Sequence, residues 1–508
     1  MTAAREVARF LAGSGKPALV EFLSRQRWFA AKARGIQALE IEDWAALRSA
    51  PPLLLLLVNV DGDRYYVPLS ATPGPPEDPR RQVARFGEQT IRDAHWDPDF
   101  GRLLLAMMAS GVTVAAGAGR FAGRPMPPWP GPSPGEMAAL PVCPLGGEQS
   151  NTSLVFDRVL ILKSFRRPRV GINPDFEITH FLSARRRFAH VAPLEGWIDY
   201  AGPNGEAATI AVLQRFVDNG GDGWEYTLAG LRRLCEAIER AGEAGAAAEP
   251  LLDGLDGNLL ADARTLGAVT GGLHAALASD PASPDFHPEP ITDGDTARWS
   301  DGIIRDFELL RADLALARHR LAPGAESALS RFEQTAGRIG EVVRSIGVLA
   351  DGQTHKIRCH GDYHLGQVLK THDAFLVIDF EGEPARPLEE RRRKHAALRD
   401  VAGMLRSFNY AVHAVARERA AAGRPPLLGW LERWEEAARR AFLDGYVGAA
   451  SGSPVRLVPA APALLLRACA VFELEKAGYE LRYELNNRPD WVSIPLAGIR
   501  RVLEPRPD

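Results

Sequence analysis

His360-Gly361-Asp362, then Gln367 five residues after the aspartate, then Asp379 closing the apolar run Phe375–Ile378, form the most chemically loaded stretch of the chain. These residue types in this order suit phosphoryl transfer. Such a reaction needs a carboxylate to orient a hydroxyl or accept its proton, and Asp362 is placed for that. Mg²⁺ on nucleotide phosphates needs hard oxygen ligands; the Gln367 side-chain carbonyl and the Asp379 carboxylate supply two. The order follows a kinase catalytic loop, H-x-D-x-x-x-x-N, with Gln in place of Asn, and then a strand ending in a metal-binding Asp. Either piece alone reads equally well as a polar turn beside a core strand. The two in order, joined by a short hairpin-like spacer, are specific.

Phosphates also need a cation. Lys163 lies in the apolar run "VLILKSF", where a lysine is costly unless its ammonium has partners. The expected partners are a nucleotide phosphate and Glu177, on a helix that Asn173 caps and Pro174 opens. Read singly, Lys163 is a snorkelling lysine and Glu177 an exposed helix carboxylate. The turn "GGEQSNTS", with Ser150, Asn151 and Thr152, can fold over phosphates and offer backbone N–H groups. It is not a Walker A sequence, because no Gly-Lys-Ser/Thr follows. Gln214, Phe216 and Val217, at the end of an expected strand Thr209–Val217, mark a hinge where an adenine would lie against the backbone.

The elements behind these residues read as follows. A chain of 508 residues is too long for one core, and 46% hydrophobic with 25% charged residues is ordinary for a globular protein. A net charge of -3 gives no basic field, so no nucleic-acid partner is expected. Four scattered cysteines show no Cys-x-x-Cys pair and no disulfide framework. The N-terminus lacks a signal-peptide core, and the run Leu53–Val58 is far short of a bilayer. A cytoplasmic location and no membrane partner are expected.

Residues 1–121 read as an α+β unit with a half-buried hairpin turning at Asp61-Gly62-Asp63. "GRPMPPWPGPSPGE" (Gly123 to Glu136) reads as a surface loop or boundary, too rich in Pro and Gly for a helix or central strand. Residues 122–217 are strand-rich, and 218–508 are helical around the polar strand-loop island. Near the end, Glu473, Glu475, Lys476, Tyr479, Glu480, Tyr483 and Glu484 fall on one expected helix, where 475, 476, 479, 480 and 483 can share a face. Polar groups beside aromatic rings suit a sugar. A surface helix laced with ion pairs fits the same residues. Arg399 and Asp400 read as a helix cap and its ion pair, and one of Arg391–Arg393 as reaching sugar or phosphate.

Taken together, "RQRWFAAKAR", "GGEQSNTS", "ILKSFRRPRVGINPDFE", "CHGDYHLGQVL", "VIDFEGEPARPLEERRRKHAALRDVAGMLRSFNYA" and "EKAGYELRYELNNRPDWVSIPLAGI" resemble, in order, the bacterial maltokinases. The resemblance implies an α+β, bilobal protein-kinase-like fold of the aminoglycoside phosphotransferase type. Residues 1–121 would be an N-terminal cap, 122–217 the small lobe and 218–508 the large lobe. It implies ATP and Mg²⁺ as cofactors, with Asp362 catalytic, Gln367 and Asp379 on the metal, and Lys163 with Glu177 on phosphate. It further implies sugar contacts from Asp362, His364, Arg392, Glu475, Lys476 and Tyr479. The implied product is maltose 1-phosphate, within the carbohydrate metabolism of glycogen synthesis, with a trehalose synthase as partner. Two alternatives stand beside it: a kinase of the same fold acting on glucosamine, another sugar or an aminoglycoside, and a non-catalytic regulator that binds sugar or nucleotide.

Overall fold

The computed structural model describes residues 2–29, 35–74, 78–129, 131–146, 150–241, 258–318 and 325–504. The chain divides into two compact units, Met1–Asp218 and Asn219–Asp508.

Two antiparallel sheets build the first unit. The first comprises β1 (Leu39–Arg48), β2 (Leu53–Val60), β3 (Asp63–Tyr66), β4 (Leu69–Pro73), β5 (Gln82–Phe86) and β6 (Gln89–Asp93), in the order β1-β2-β4-β6-β5 with β3 on β2. The leucine run forms β2. Because side chains alternate across a strand, Leu54, Leu56 and Val58 enter one core with the helices Thr2–Ala12 and Lys16–Arg25. Leu53, Leu55 and Leu57 enter another with the helix Pro98–Ala109. The expected half-buried hairpin is thus buried on both faces along β2, which is why its apolar residues do not alternate with polar ones. Its turn does fall at Asp61 and Gly62, with φ 50° and 91°.

The second sheet comprises β7 (Thr113–Ala115), β8 (Arg120–Pro125), β9 (Val142–Pro144), β10 (Thr152–Phe156), β11 (Leu160–Ser164), β12 (Leu194–Ala201) and β13 (Ala207–Arg215). Its order is β7-β8-β12-β13-β11-β10-β9. Asp157 and Arg158, both at positive φ, turn β10 into β11. Residues 121 and 122 lie side by side within β8.

The Pro- and Gly-rich segment is not the uniform loop its composition suggests. Gly123–Pro125 extend β8 against β12, and β7 pairs only as far as Ala122, so Pro125 need not serve two neighbours. A Cβ on Gly123 would lie 2.2 Å from the Met107 carbonyl oxygen; the residue is glycine because a helix crosses the strand there. Ser133 and Glu136 form a capping box on a short helix, Pro134–Ala139.

In the second unit long helices dominate: Gly223–Ala241, Leu259–Leu277, Asp293–Ala317, Leu398–Ala421, Leu428–Ala450 and Pro462–Asn487 among them. Residues 325–349 do not form one continuous helix: they break into Ala325–Thr335, Ile339–Arg344 and 3₁₀ turns, where Gly337, Gly340 and Gly347 weaken helical propensity. The polar island forms β15 (His355–Ile357), paired with β14 (Glu289–Pro290) and β18 (His395–Ala396), and a hairpin of β16 (Val368–Lys370) with β17 (Phe375–Val377). Among the described residues no helix is long and apolar enough to cross a membrane.

Candidate active site

The loop after β15 is held by its backbone. Asp400, in the first turn of Leu398–Ala421, accepts the N–H groups of His360 (2.7 Å) and Gly361 (2.9 Å). His274 Nε2 lies 3.1 Å from the same carboxylate, and His274 Nδ1 lies 3.1 Å from the Tyr446 hydroxyl. Burial opposes the Asp400 charge, yet these donors hold its carboxyl below the usual range. The His360 ring makes a 2.9 Å contact from Nε2 to the Ile378 carbonyl, tying the loop to the residue before Asp379. Loop and helix meet backbone to backbone at Gly403, where a Cβ would sit 2.5 Å from the Tyr363 carbonyl oxygen. Asp362 therefore projects from a chain fixed on two sides.

Its carboxylate meets a network of alternating charge. Lys476 Nζ donates to Asp362 Oδ1 at 2.8 Å and to Glu383 at 3.4 Å. Glu383, 4% exposed, also accepts from Arg386 (2.5 Å) and Arg399 (3.4 Å). Glu475 lies 3.2 Å from each of those arginines. Burial alone would push Glu383 up; Arg399, Lys476 and Arg386 overcome it and hold its carboxyl down at about 2. Burial likewise opposes the Lys476 ammonium, and Asp362 and Glu383 raise its pKa nonetheless. Three carboxylates and three cations offset one another, so the site is charged at every point yet balanced. Asp362, Glu475, Lys476 and Tyr479 line one pocket, with Ile303 and Phe307 on its apolar side. The Tyr479 ring stands 4.7 Å from the Lys476 ammonium. Asp362 lines the pocket, and among the described residues only its Oδ1 takes a side-chain hydrogen bond, which leaves Oδ2 as an acceptor.

Gln367 and Asp379 are also adjacent: the Gln367 amide donates to Asp379 Oδ2 at 3.0 Å. Asp379 has φ 65°, a left-handed backbone at a non-glycine residue, of the kind that collects at functional positions. The Asp379 carboxylate and the carbonyl oxygen of the adjacent Gln367 amide, on two partly buried residues, are ligand types that fit a hard cation such as Mg²⁺.

Two expected sugar contacts, His364 and Arg392, are not among the residues lining that pocket. His364 caps the 3₁₀ turn Leu365–Gln367, its Nδ1 accepting from the Gly366 N–H at 3.1 Å; its imidazole serves the backbone and is absent from the pocket lining. Burial lowers its pKa. Arg392 lines a wider groove beside the pocket and pairs with Asp285 at 3.3 Å. Arg393 faces solvent beside Glu389. Glu473, Glu480 and Glu484 turn away to Arg439, Arg406 and Arg488, so the shared helix face is narrower than its spacing suggests. The sequence reading missed Glu383 and Arg386, and took Arg399 as a cap. Their alternating charges were visible, but nothing local says that they close on a lysine ninety residues on.

In the first unit, Lys163 on β11 pairs with Asp175 at 2.8 Å. Asp175 sits in the first turn of the helix Pro174–His180, its N–H held by the Asn173 side chain. Glu177 is buried on the same helix. Asp175 is thus a partner of Lys163 that the sequence reading passed over. Thr152 begins β10, and its hydroxyl accepts from Arg166 at 2.8 Å; Asn151 is buried and Ser150 exposed. Residues 147–149 of the phosphate turn lie outside the described residues. Gln214 donates to the Ala192 carbonyl, Phe216 N–H to Val159, and Val217 follows β13.

Residues 22–97 match the family model of the maltokinase N-terminal cap domain. A glucosamine kinase of Streptacidiphilus jiangxiensis is 26% identical over 362 residues, covering 71% of this chain and 73% of that one. A glucosamine kinase of Mycolicibacterium smegmatis is 26% identical over 297 residues, 58% of this chain and 63% of that one, a little under two thirds of its length. A solved glucosamine kinase in complex with glucosamine, ADP and inorganic phosphate superposes with a TM-score of 0.64 at 21% identity, covering 95% of this chain and 99% of that chain. The fold is that of a kinase-like α+β protein with an N-terminal cap, and the chain is a phosphotransferase of the kinase class. Within that class it is similar to maltokinases in its cap and to glucosamine kinases over most of its length.

Proposed function

We propose that the protein is an ATP- and Mg²⁺-dependent sugar kinase that phosphorylates maltose at its anomeric hydroxyl. The observation that carries this reading is the pocket shared by Asp362, Glu475, Lys476 and Tyr479, the last three from the segment that resembles maltokinases. Asp362 orients the acceptor hydroxyl and takes its proton. The hydroxyl oxygen bonds to the γ-phosphorus as the bond to the bridging oxygen breaks, releasing ADP. Lys476 keeps the aspartate in one orientation, and no covalent enzyme intermediate is needed. Gln367 and Asp379 would hold Mg²⁺, which when bound offsets the phosphate charge. Lys163, with Asp175 and Glu177, is the phosphate-binding candidate of the first unit. An enzyme that makes maltose, such as a trehalose synthase, is the expected supplier.

One observation favours a second acceptor. Asp306 is exposed, lines the same pocket and makes no ion pair among the described residues, which suits the ammonium of glucosamine. The names of the relatives point the same way. ADP release measured with maltose, glucose and glucosamine separates the two. Preference for maltose upholds the first reading, and preference for glucosamine transfers it to the second. No release above the background with any sugar rejects both.

A further inference from the structure

The Asp362 pocket continues sideways. It shares Ile303, Asp306, Glu383 and Glu475 with a wider groove, and that groove alone reaches Trp299. One helix, Asp293–Ala317, borders both. Trp299, Ile303 and Asp306 fall at i, i+4 and i+7 and so share a face. Seven residues of helix place Trp299 roughly 10 Å along the axis from Asp306. That span suits a second sugar ring, with the first at Asp362.

The indole is fixed where it stands. It stacks on His395 with ring centroids 4.2 Å apart and planes 22° from parallel, and meets Phe472 edge-on at 6.2 Å. It remains half-buried, so part of it is open to the groove. Burial first, then Arg399 and Arg386, hold His395 well below its ordinary range; a neutral imidazole therefore backs the indole across physiological pH. Arg392 and Asp285, a 3.3 Å pair, line the groove beside it and offer donors and acceptors to hydroxyls.

We infer that Trp299 is the platform of a second sugar subsite, which binds the non-reacting ring of the acceptor by its C–H face. This rests on the sugar-kinase reading and deepens it: Trp299 is the residue through which the site selects a two-ring acceptor over a single ring. Trp299 is a specificity residue. It touches the substrate away from the reacting hydroxyl and acts on binding, not on transfer.

The test is equilibrium binding to the full chain by calorimetry, with glucose, maltose and maltotriose, for wild type, Trp299→Leu and Trp299→Phe. Wild type should bind maltose about tenfold or more tighter than glucose. Trp299→Leu should erase most of that preference while leaving glucose affinity within about twofold, and Trp299→Phe should keep most of it. Melting temperatures show whether each variant is folded; if the leucine variant unfolds, the maltose-induced change in tryptophan fluorescence decides the matter, since it should be present in wild type and largely lost in Trp299→Phe. Equal wild-type affinity for glucose and maltose would overturn the subsite. So would a preference untouched in the folded leucine variant, equal weakening of both sugars, or the same maltose-induced fluorescence change in wild type and Trp299→Phe. Because binding is read without turnover, sugar that binds but draws no ADP release would reject the kinase reading and leave the subsite standing.

Discussion

At the scale of single residues, the contact between Lys476 and Asp362 organises the site. Asp362→Asn keeps the shape and removes the proton acceptor. Turnover should fall by about 10²–10⁴-fold, and the melting temperature should drop with the fold retained, because Lys476 keeps Glu383 but loses its Asp362 partner; steady-state kinetics and calorimetry read the two. Lys476→Met is different in kind, because it leaves Glu383, 4% exposed, short of one cation. Removing one partner of a buried pair costs about 3–5 kcal/mol, and the two arginines that stay on Glu383 place this variant at the lower end. Denaturant melts would read the loss together with the loss of turnover. The same carboxylate sets a pH dependence. Its folded pKa of about 2 lies below its ordinary value of 4.5, so its contribution to stability is full above that value and is lost as pH falls toward 2. Melts across that window should show the decline in wild type, and Lys476→Met should move its lower limit upward, since Lys476 is one cause of the depression.

At the scale of elements, the loop and the helix Leu398–Ala421 are one device. Gly403→Ala would gain about 1 kcal/mol of helix propensity on an exposed helix. Here the new methyl would lie 2.5 Å from the Tyr363 carbonyl, and overpacking against backbone costs about 1–3 kcal/mol, so the net effect is destabilising. The loop would shift with it. Lower kcat with a smaller change in KM, alongside a lowered melting temperature, is the expected signature. Much at this scale was legible beforehand. Asn173 and Pro174 announce their helix, and the apolar run before Asp379 its strand. The faces of Pro462–Asn487 were not legible. Spacing grouped Glu480 with Glu475 and Lys476, but Arg406, seventy-four positions earlier, takes Glu480 instead. Which carboxylate faces a pocket depends on partners distant in sequence, and periodicity carries no record of them. His364 shows a nearer case: a local backbone N–H takes its Nδ1, a contact that residue spacing does not announce.

At the scale of the whole molecule, the two units hold separate groups of the candidate site residues. Met1–Asp218 holds Lys163 and the cap match, and Asn219–Asp508 holds Asp362, Gln367 and Asp379. The order of motifs along 508 residues made the kinase class readable, because order survives where individual spacings drift. The acceptor was less readable, since charges that could choose it are mostly neutralised by one another. Metal dependence belongs at this scale. Chelation with EDTA should abolish ADP release and added Mg²⁺ restore it, with Asp379→Ala raising the Mg²⁺ needed or ending turnover. The most direct measurement of the central claim is phosphorus NMR of the product formed from ATP and maltose by wild type and by Asp362→Asn. The account predicts an anomeric sugar phosphate and ADP from wild type and almost none from the variant. Equal product from both proteins, or phosphate on no sugar at all, would contradict it.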